Sequence, residues 1–327
     1  MNNYKTCRLD PDQIGLVISK AKMNFPNRNV QVITDLPHLI GVKLDIPPIR
    51  FVAEESFAAK MTNIEIDDCV FVLIFDCDDS AAQAAEYCID LKIPFLGGGI
   101  NGTALYIHVN RQAKHSLFEV KGKINSFGQG HFDAYDFMNI AQAIEITKDL
   151  TGYYVEVGVF NGSSGMYALN YMNRVGMSRP CVFLDLFEGF NFQEAKESAD
   201  AFWYGTHKDQ KPMEVVQAQL QSYADPANGL SVRVEKNNII SDPLPDDLDQ
   251  IVVANLDVDM FDSVYAGLLK LAPRIVPKGI IIAEDAGHSG RIIGARVAVN
   301  KFLRTKVGLG FMPIVMESGQ TFLVKVG

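Results

Sequence analysis

Hydrophobic residues recur in two patterns along the chain: short, nearly continuous apolar runs and longer segments with helical spacing. Near the start, Ile14, Val17 and Ile18 have the spacing of a helix within residues 1–28. The strand-like runs that follow are residues 30–35, 68–76 and 93–96, with a helical, Ala-rich segment at 79–90. Continuous apolar runs are typical of strands buried on both faces of a parallel sheet. The alternation predicts a small α/β domain, with an added edge strand at 104–109.

The second half repeats this alternation over a longer stretch. A helix from Tyr135 leads into a strand at 153–156. Further strand-like runs are residues 181–185, 230–235, 251–256, 279–283 and a closing hairpin pair at 311–315 and 321–326. Between the halves lies a polar run that contains glycines. It predicts a domain boundary, with an auxiliary domain at 1–115, a linker at 116–134 and a larger domain at 135–327.

Composition narrows the class of protein. A chain of 327 residues with 48% hydrophobic residues can form two domains with buried cores. The net charge of -9, without a basic stripe, argues against nucleic acid as a partner. No apolar run approaches the roughly 20 residues that span a bilayer, so we expect no membrane partner. The five cysteines form no CxxC motif and the N-terminus lacks an apolar signal core, so we expect a cytoplasmic protein.

The first candidate site follows the strand at 153–156. Glu156, Gly158, Asn161 and Gly162 stand between this strand and a predicted helix that starts at Ser163. Glycines let the backbone approach a ligand closely, and a helix N-terminus offers free N–H groups. An acid followed by two glycines at this spacing is the usual loop for S-adenosylmethionine in class I methyltransferases. An ordinary tight turn is the alternative.

Two further polar groups follow the next strands. Asp185 ends the run at 181–185, where a carboxylate can accept both hydroxyls of a ribose. A helix N-cap is its alternative role. Asn238 and Asp242 follow the third strand of the domain, in a loop that lies against the adenine in this topology. A polar surface loop explains these two residues equally well.

The strongest chemical signal is a set of acids behind two apolar runs. Asp257 and Asp259 follow residues 251–256, and Glu284 and Asp285 follow residues 280–283. Ligands bind outside the carboxyl ends of strands in open α/β sheets, so these acids are expected at one rim. We predict that Asp257, Glu284 and Asp285 bind Mg²⁺, a cation that prefers oxygen ligands. We assign Asp259 instead to capping the next helix.

Histidine supplies the candidates for a general base. His288 stands three residues after Asp285 in a Gly-rich loop, and a histidine beside an acidic rim can remove a proton. A surface role is its alternative, and His131 and His207 are its rivals. Trp203 and Tyr204 are candidates for a lid over the substrate.

One motif points to different chemistry. Asp76 and Asp78 resemble the aspartate-nucleophile loop of haloacid-dehalogenase-type phosphatases, but Ser80 departs from that pattern. Capping of the following helix explains these acids as well.

Taken together, the motifs resemble the macrocin-type O-methyltransferases of macrolide biosynthesis. Five segments keep the family order over about residues 135 to 300: YVEVGVFNG, LDLFEGF, DPLP, LDVDMFDS and PRIVPKG with the following Glu284 and Asp285. Phe261 stands where a tyrosine is common, and Asn161 stands at a variable position.

This resemblance implies a Rossmann-like class I methyltransferase sheet, with S-adenosylmethionine and Mg²⁺ as cofactors. It implies a small-molecule hydroxyl acceptor on a sugar or glycosylated natural product, and it leaves a homo-oligomer open. It carries Glu156 and Gly158 over as cofactor residues, and Asp257, Glu284 and Asp285 as metal ligands. The expected catalytic residues are Asp257, as a metal ligand, and His288, as the base; the role of His288 rests on its place beside the acidic rim and not on the resemblance. The alternative function is a non-methylating nucleotide-binding or hydrolytic protein that uses the same acidic cavity.

Overall fold

The protein is described here by a computed structural model. It describes residues 11–36, 39, 46–51, 56–61, 66, 68–75, 78–98, 110–126, 134–200, 203–287 and 293–327. The chain divides into two units, Met1–Lys114 and His115–Gly327. The assignment of separate roles to these units remains a prediction.

The N-terminal unit is a four-stranded parallel sheet with helices. Its elements are α1 (Pro11–Asn24), β1 (Asn29–Thr34), β2 (Ile49–Arg50), α2 (Phe57–Met61), β3 (Cys69–Ile74), α3 (Asp78–Asp90) and β4 (Phe95–Gly98). The strand order is β2-β1-β3-β4, and every neighbouring pair is parallel. All six residues of β3 are buried, as its continuous apolar run predicts. The short β2 and α2 have no clear sequence signal, and the predicted strand at 104–109 lies outside the described residues.

The run that we predicted to be a linker is largely helical. Helix α4 spans Arg111–Ser126. Its first turn is capped by Asn110, whose Oδ1 accepts hydrogen bonds from the backbone N–H groups of Gln112 and Ala113 at 3.0 and 3.1 Å. An Asn at this position satisfies donors that a helix otherwise leaves open. The run therefore forms an amphipathic helix, with Ala113, Ser116, Leu117 and Val120 buried on one face.

The C-terminal unit has seven strands and six further helices among its described residues. They are α5 (Ala134–Ile146), β5 (Tyr153–Val157), α6 (Ser163–Arg174), β6 (Pro180–Asp185), α7 (Gln193–Glu197), α8 (Met213–Gln221), β7 (Ser231–Lys236), β8 (Ile251–Leu256), α9 (Phe261–Leu271), β9 (Ile275–Ala283), α10 (Ile293–Phe302), β10 (Phe311–Val315) and β11 (Thr321–Lys325). The predicted α/β class is therefore confirmed.

The strand order of this unit places its functional edge. The order is β10-β11-β9-β8-β5-β6-β7. The chain runs from β5 outward to β6 and β7, then returns to β8 on the other side of β5, so the order reverses between β5 and β8. Such a switch point opens a crevice at the carboxyl ends of the strands. The predicted closing hairpin is confirmed: β11 is antiparallel to β10, and it inserts antiparallel beside β9.

The core explains why these strands form. Every residue of β8 is buried, and its neighbour β9 buries the apolar run from Gly279 to Ala283. Helix α9 packs on β8 closely, because a side chain on Gly267 would meet Leu256. None of the helices that the structure describes is both long enough and apolar enough to cross a membrane.

Candidate cofactor and metal site

A cavity of about 590 Å³ opens at the carboxyl edge of the seven-stranded sheet. Ligand pockets of this size hold small molecules of cofactor dimensions. Its walls come from the residues that follow β5, β6, β7, β8 and β9, together with the first turn of α5 and the β10–β11 turn. The cavity therefore occupies the crevice that the strand order predicts.

The loop after β5 touches the loop after β8. Gly158 has a φ of +88°, and a Cβ at this position would overlap the carbonyl group of Asp257. The backbone N–H of Gly158 donates to Leu184 O at 2.9 Å, and that of Asp257 donates to Val157 O at 2.9 Å. Only a glycine allows this crossing, so the residue at 158 sets the distance between the two loops.

The end of this loop begins helix α6. Gly162, at φ +81°, is the N-cap residue and supplies no side chain to the helix, so the first turn lies bare at the cavity wall with Ser163 and Ser164. Asn161 also lines the cavity, and its Oδ1 accepts a hydrogen bond from the backbone of Lys211 at 2.9 Å. Open N–H groups at a helix start suit an anionic ligand group.

Glu156 lies behind this wall rather than in it. It is fully buried and is not among the cavity-lining residues. Its carboxyl group accepts hydrogen bonds from Tyr154 OH at 3.0 Å and Ser164 Oγ at 2.7 Å. Burial raises the pKa of Glu156 to about 7, partly offset by these two hydrogen bonds. The residue thus holds the start of α6 from below.

Asp185 reaches the cavity, but protein donors surround its carboxylate. Oδ2 accepts from the backbone of Val159 at 2.7 Å and Phe160 at 2.9 Å. Oδ1 accepts from the backbone of Phe187 at 2.6 Å and from Gln210 Nε2 at 2.9 Å. Two oxygens with four donors have their lone pairs filled. Asp185 therefore organises the cofactor loop in this structure, and a ribose would have to replace one of these donors.

The loop after β7 contributes a third wall. Asn237, Asn238 and Ile239 line the cavity, whereas Asp242 does not. Asp242 Oδ2 accepts from the backbone of Asn238 at 2.8 Å, and Asn238 Oδ1 accepts from the backbone of Ile240 at 3.0 Å. These side chains close a turn. Asn238 also lines the cavity itself, whereas Asp242 acts on it only through the shape of the turn.

Three carboxylates meet at the ends of β8 and β9. Asp257, Asp259 and Asp285 each offer an oxygen, and these oxygens lie within 4.8 Å of one another. Asp257 and Asp259 keep part of their surface open to the cavity, yet the surrounding protein still desolvates them. Burial, then repulsion from Asp285 and Asp259, raises the pKa of Asp257 well above its ordinary value. Burial and Asp285 do the same to Asp259.

The predicted capping role of Asp259 is wrong. The N-cap residue of α9 is Met260, and no side chain of its own caps the helix. The N–H of Phe261 is satisfied instead by Asp200 Oδ2, at 2.8 Å, from a segment some sixty residues earlier in the chain. Asp259 adopts a φ of +52°, and its own N–H donates to Asp285 Oδ2 at 3.0 Å. A turn in the left-handed region therefore directs Asp259 into the carboxylate cluster.

Glu284 also lines the cavity, beside this cluster. Among the described residues, the group of three close oxygens does not include it. Burial, followed by the charges of Asp257 and Asp285, raises the pKa of Glu284 well above its ordinary value. The structure thus brings together all three predicted metal ligands and adds Asp259 to them.

The histidines divide between described and undescribed parts of the chain. His288 and His131 lie outside the described residues. His207 lines the cavity, with its ring edge-on to Phe160 at 5.4 Å and Phe190 at 4.9 Å between centroids. Trp203 lines the same wall. This part of the predicted lid is thus an aromatic face of the cavity.

Asp136 and Gln320 are among the lining residues that the sequence analysis missed. Asp136, in the first turn of α5, adds to the negative charge around Asp257 and Glu284. Gln320, in the β10–β11 turn, accepts a hydrogen bond from Asn139 Nδ2 at 2.7 Å. The available signal was a pair of polar residues, Asp136 and Asn139, which stand three apart among the apolar residues of the first turns of the helix.

The donor set fits both expected cofactors. The glycine crossing at 158 and the bare helix start at 163 make room for a ligand close to the backbone. The clustered carboxylates are hard oxygen donors that repel one another, and a divalent cation relieves that repulsion.

Comparison with known proteins finds a family model and solved structures that resemble the chain. A family model described as macrocin O-methyltransferase (TylF) matches residues 132–309. No curated protein sequence matches the chain. Among solved structures, the O-methyltransferase NovP is 18% identical with a TM-score of 0.52, over 61% of this chain and 84% of NovP. The calicheamicin methyltransferase CalS11 is 14% identical with a TM-score of 0.47, over 69% of this chain and 98% of CalS11.

Proposed function

The chain belongs to the macrocin O-methyltransferase family and is an S-adenosylmethionine-dependent O-methyltransferase, and on this premise we propose a more specific activity. We propose that it uses Mg²⁺ to methylate a hydroxyl of a sugar or glycosylated natural product. The family description, which names macrocin, supports an acceptor of this class. Because the chain matches a methyltransferase family, the alternative of a non-methylating nucleotide-binding or hydrolytic protein is not needed to explain the cavity.

One observation carries the proposal. The glycine loop after β5 and the carboxylates Asp257, Asp259 and Glu284 line the same cavity, and the loops touch at Gly158 and Asp257. A methyl donor on the first and a hydroxyl on the second would be brought close together. Proximity and alignment supply much of the rate enhancement when the cofactor already carries an activated group.

On the cofactor side, the residues act mainly through the backbone. Gly158, Asn161 and Gly162 form the loop against the amino acid part of the cofactor, and Asp185 holds that loop in shape. Asn237 to Ile239 form the wall for the nucleoside, in the turn that Asn238 and Asp242 close. Glu156 supports the start of α6 from behind.

On the acceptor side, Asp257, Asp285 and Glu284 would hold Mg²⁺, and Asp259 is placed to share in that role. A bound Mg²⁺ lowers the pKa of a hydroxyl and orients its oxygen. Asp136 and Gln320 give this side hydrogen-bonding groups for further hydroxyls of the acceptor. His288 stays the predicted base, since the structure does not describe it.

Calorimetry separates the parts of this proposal. S-adenosylmethionine should bind the purified chain, and Mg²⁺ should bind separately and be removed by a chelator. Absence of cofactor binding would contradict the methyltransferase site, and methyl transfer unchanged in excess chelator would contradict only the metal.

The matched variant is Asp257→Asn. It should lose Mg²⁺ binding while its affinity for S-adenosylmethionine stays within about threefold, a difference of about 0.65 kcal/mol. A large loss of cofactor affinity would instead assign Asp257 to the cofactor. Mass spectrometry of glycosides incubated with enzyme and labelled cofactor would then identify the acceptor.

A further inference from the structure

Lys270 lies in the last turn of α9, with its ammonium group turned toward the loop after β7. Nζ donates to the carbonyl oxygens of Ile239 at 2.7 Å, Ile240 at 2.9 Å and Asp242 at 2.6 Å. An ammonium group has three N–H donors, so this loop uses all of them. Hydrogen bonds from a charged donor are stronger than those between neutral groups.

The three carbonyls belong to the turn that carries one wall of the cavity. Asn237, Asn238 and Ile239 form that wall. The side chains of Asn238 and Asp242 close the turn from within, while Lys270 holds its carbonyl side from outside. A second contact joins the same elements, because Ile239 lies 3.5 Å from where a side chain on Gly267 would be.

Helix α9 links this wall to the carboxylate cluster. It begins at Phe261, two residues after Asp259, and Lys270 stands nine residues further along. At a rise of about 1.5 Å per residue, Lys270 lies roughly 14 Å along the helix from Phe261. Helix α9 therefore follows the carboxylate cluster at its first turn and contacts the loop after β7 at its last turn.

We propose that Lys270 is a positioning residue for the nucleoside half of the cofactor: it fixes the Asn237–Ile239 wall by binding three carbonyls of the turn behind it. This inference rests on the proposed cofactor site. It assigns to Lys270 a role in affinity for the nucleoside and none in metal binding or proton transfer.

The chain contains a matched control. Lys325, in β11, donates from Nζ to Ile275 O at 2.6 Å and to Ala272 O at 3.4 Å. These carbonyls lie at the amino end of β9, the opposite edge of the sheet from the cavity. Lys325→Met thus removes the same kind of interaction without touching the proposed site.

Calorimetry with two ligands tests the proposal. S-adenosylhomocysteine carries the nucleoside and the amino acid, and 5′-methylthioadenosine keeps the nucleoside alone. Lys270→Met should weaken the binding of both ligands by the same factor, about tenfold, because the lost interactions affect only the nucleoside, which both ligands contain. Lys325→Met should leave both affinities within about twofold of wild type, although thermal unfolding should show that both variants are destabilised.

The outcomes separate this inference from the proposed function. Wild-type protein that binds neither ligand overturns both. Wild-type binding with unchanged affinity in Lys270→Met, or a loss seen for S-adenosylhomocysteine but not for 5′-methylthioadenosine, overturns the role of Lys270 alone. If Lys270→Met does not fold, the role of Lys270 is tested instead with Lys270→Gln and with hydrogen exchange of the wild-type protein. The amides of residues 237–242 should gain protection from 5′-methylthioadenosine, and unchanged exchange there overturns the proposal.

Discussion

Carboxylates lie after several strands at the same edge of the sheet, but their electrostatic environments differ in two regions. Asp185, after β6, is surrounded by four hydrogen-bond donors. Asp257, Asp259 and Asp285, after β8 and β9, face one another across less than 4.8 Å. Hydrogen bonds stabilise a carboxylate, whereas like charges and burial destabilise it. Asp185 therefore fixes the shape of a loop, whereas the clustered carboxylates repel one another, and a bound cation can relieve that repulsion.

Gly158→Ala should have the largest effect, because Gly158 is where the two regions touch. The new Cβ would overlap Asp257 and sit at φ +88°, so we expect a loss of about 3 kcal/mol or more in unfolding free energy, with loss of cofactor binding. Gly176→Ala is the control, since Gly176 has φ +66° with open space around it, and about 1 kcal/mol is expected there. Urea unfolding measures both. Equal losses would show that the loops do not press on each other.

Glu156→Gln tests how burial changes the pKa of a carboxyl group that also accepts hydrogen bonds. Its pKa of about 7 in the folded protein lies above its ordinary value of 4.5, so the folded state holds the proton more tightly. Relative to Glu156→Gln, wild-type stability should therefore fall as pH rises from about 4.5 to about 7, by about 3 kcal/mol in total, and then level off. Urea unfolding of both proteins across this range measures the difference. Parallel curves would contradict the raised pKa.

Asp185→Asn should destabilise the fold by about 2 kcal/mol. An amide has one oxygen, so its NH₂ group must face two donors whichever way it turns. Asp225→Asn is the control, because Asp225 caps an exposed turn through the backbone of Ala227, a role that Asn performs equally. Denaturant unfolding compares the two variants. A neutral Asp185→Asn would mean that the four donors find other partners.

Asp257→Asn should have the smallest effect and the opposite sign. In a chelator it should stabilise the protein by about 1 kcal/mol, because one charge leaves a repelling cluster. Added Mg²⁺ should raise the unfolding temperature of the wild type, as a ligand of the folded state does, and should leave the variant unchanged. Thermal unfolding with and without Mg²⁺ measures both parts. Destabilisation in the chelator would show that Asp257 is hydrogen-bonded like Asp185.

The sequence predicted the parts of the site that depend on strand ends. Gly158, Asp185 and Asp257 line one cavity because each follows an apolar run, and parallel strands bring their carboxyl ends to one edge. The prediction for Asp259 failed, because the carboxylate that accepts a hydrogen bond from the first turn of α9 belongs to Asp200, far away in the chain. Asp136 and Gln320 were missed for a related reason. Nothing local indicates that α5 and the β10–β11 turn close over the same cavity.

The sequence alone determined the alternation of strands and helices, the glycine at 158 and the supply of acids after β8 and β9. These follow from local periodicity and from backbone geometry that only glycine allows. Tertiary structure decided which acids are satisfied and which repel. Whether a carboxylate meets four donors, as Asp185 does, or other carboxylates, as Asp257 does, depends on segments that are distant in the chain. Hydrogen bonds need donor and acceptor about 3 Å apart, and Coulomb repulsion weakens with distance and is screened beyond roughly 10 Å, so their balance is set when the chain folds.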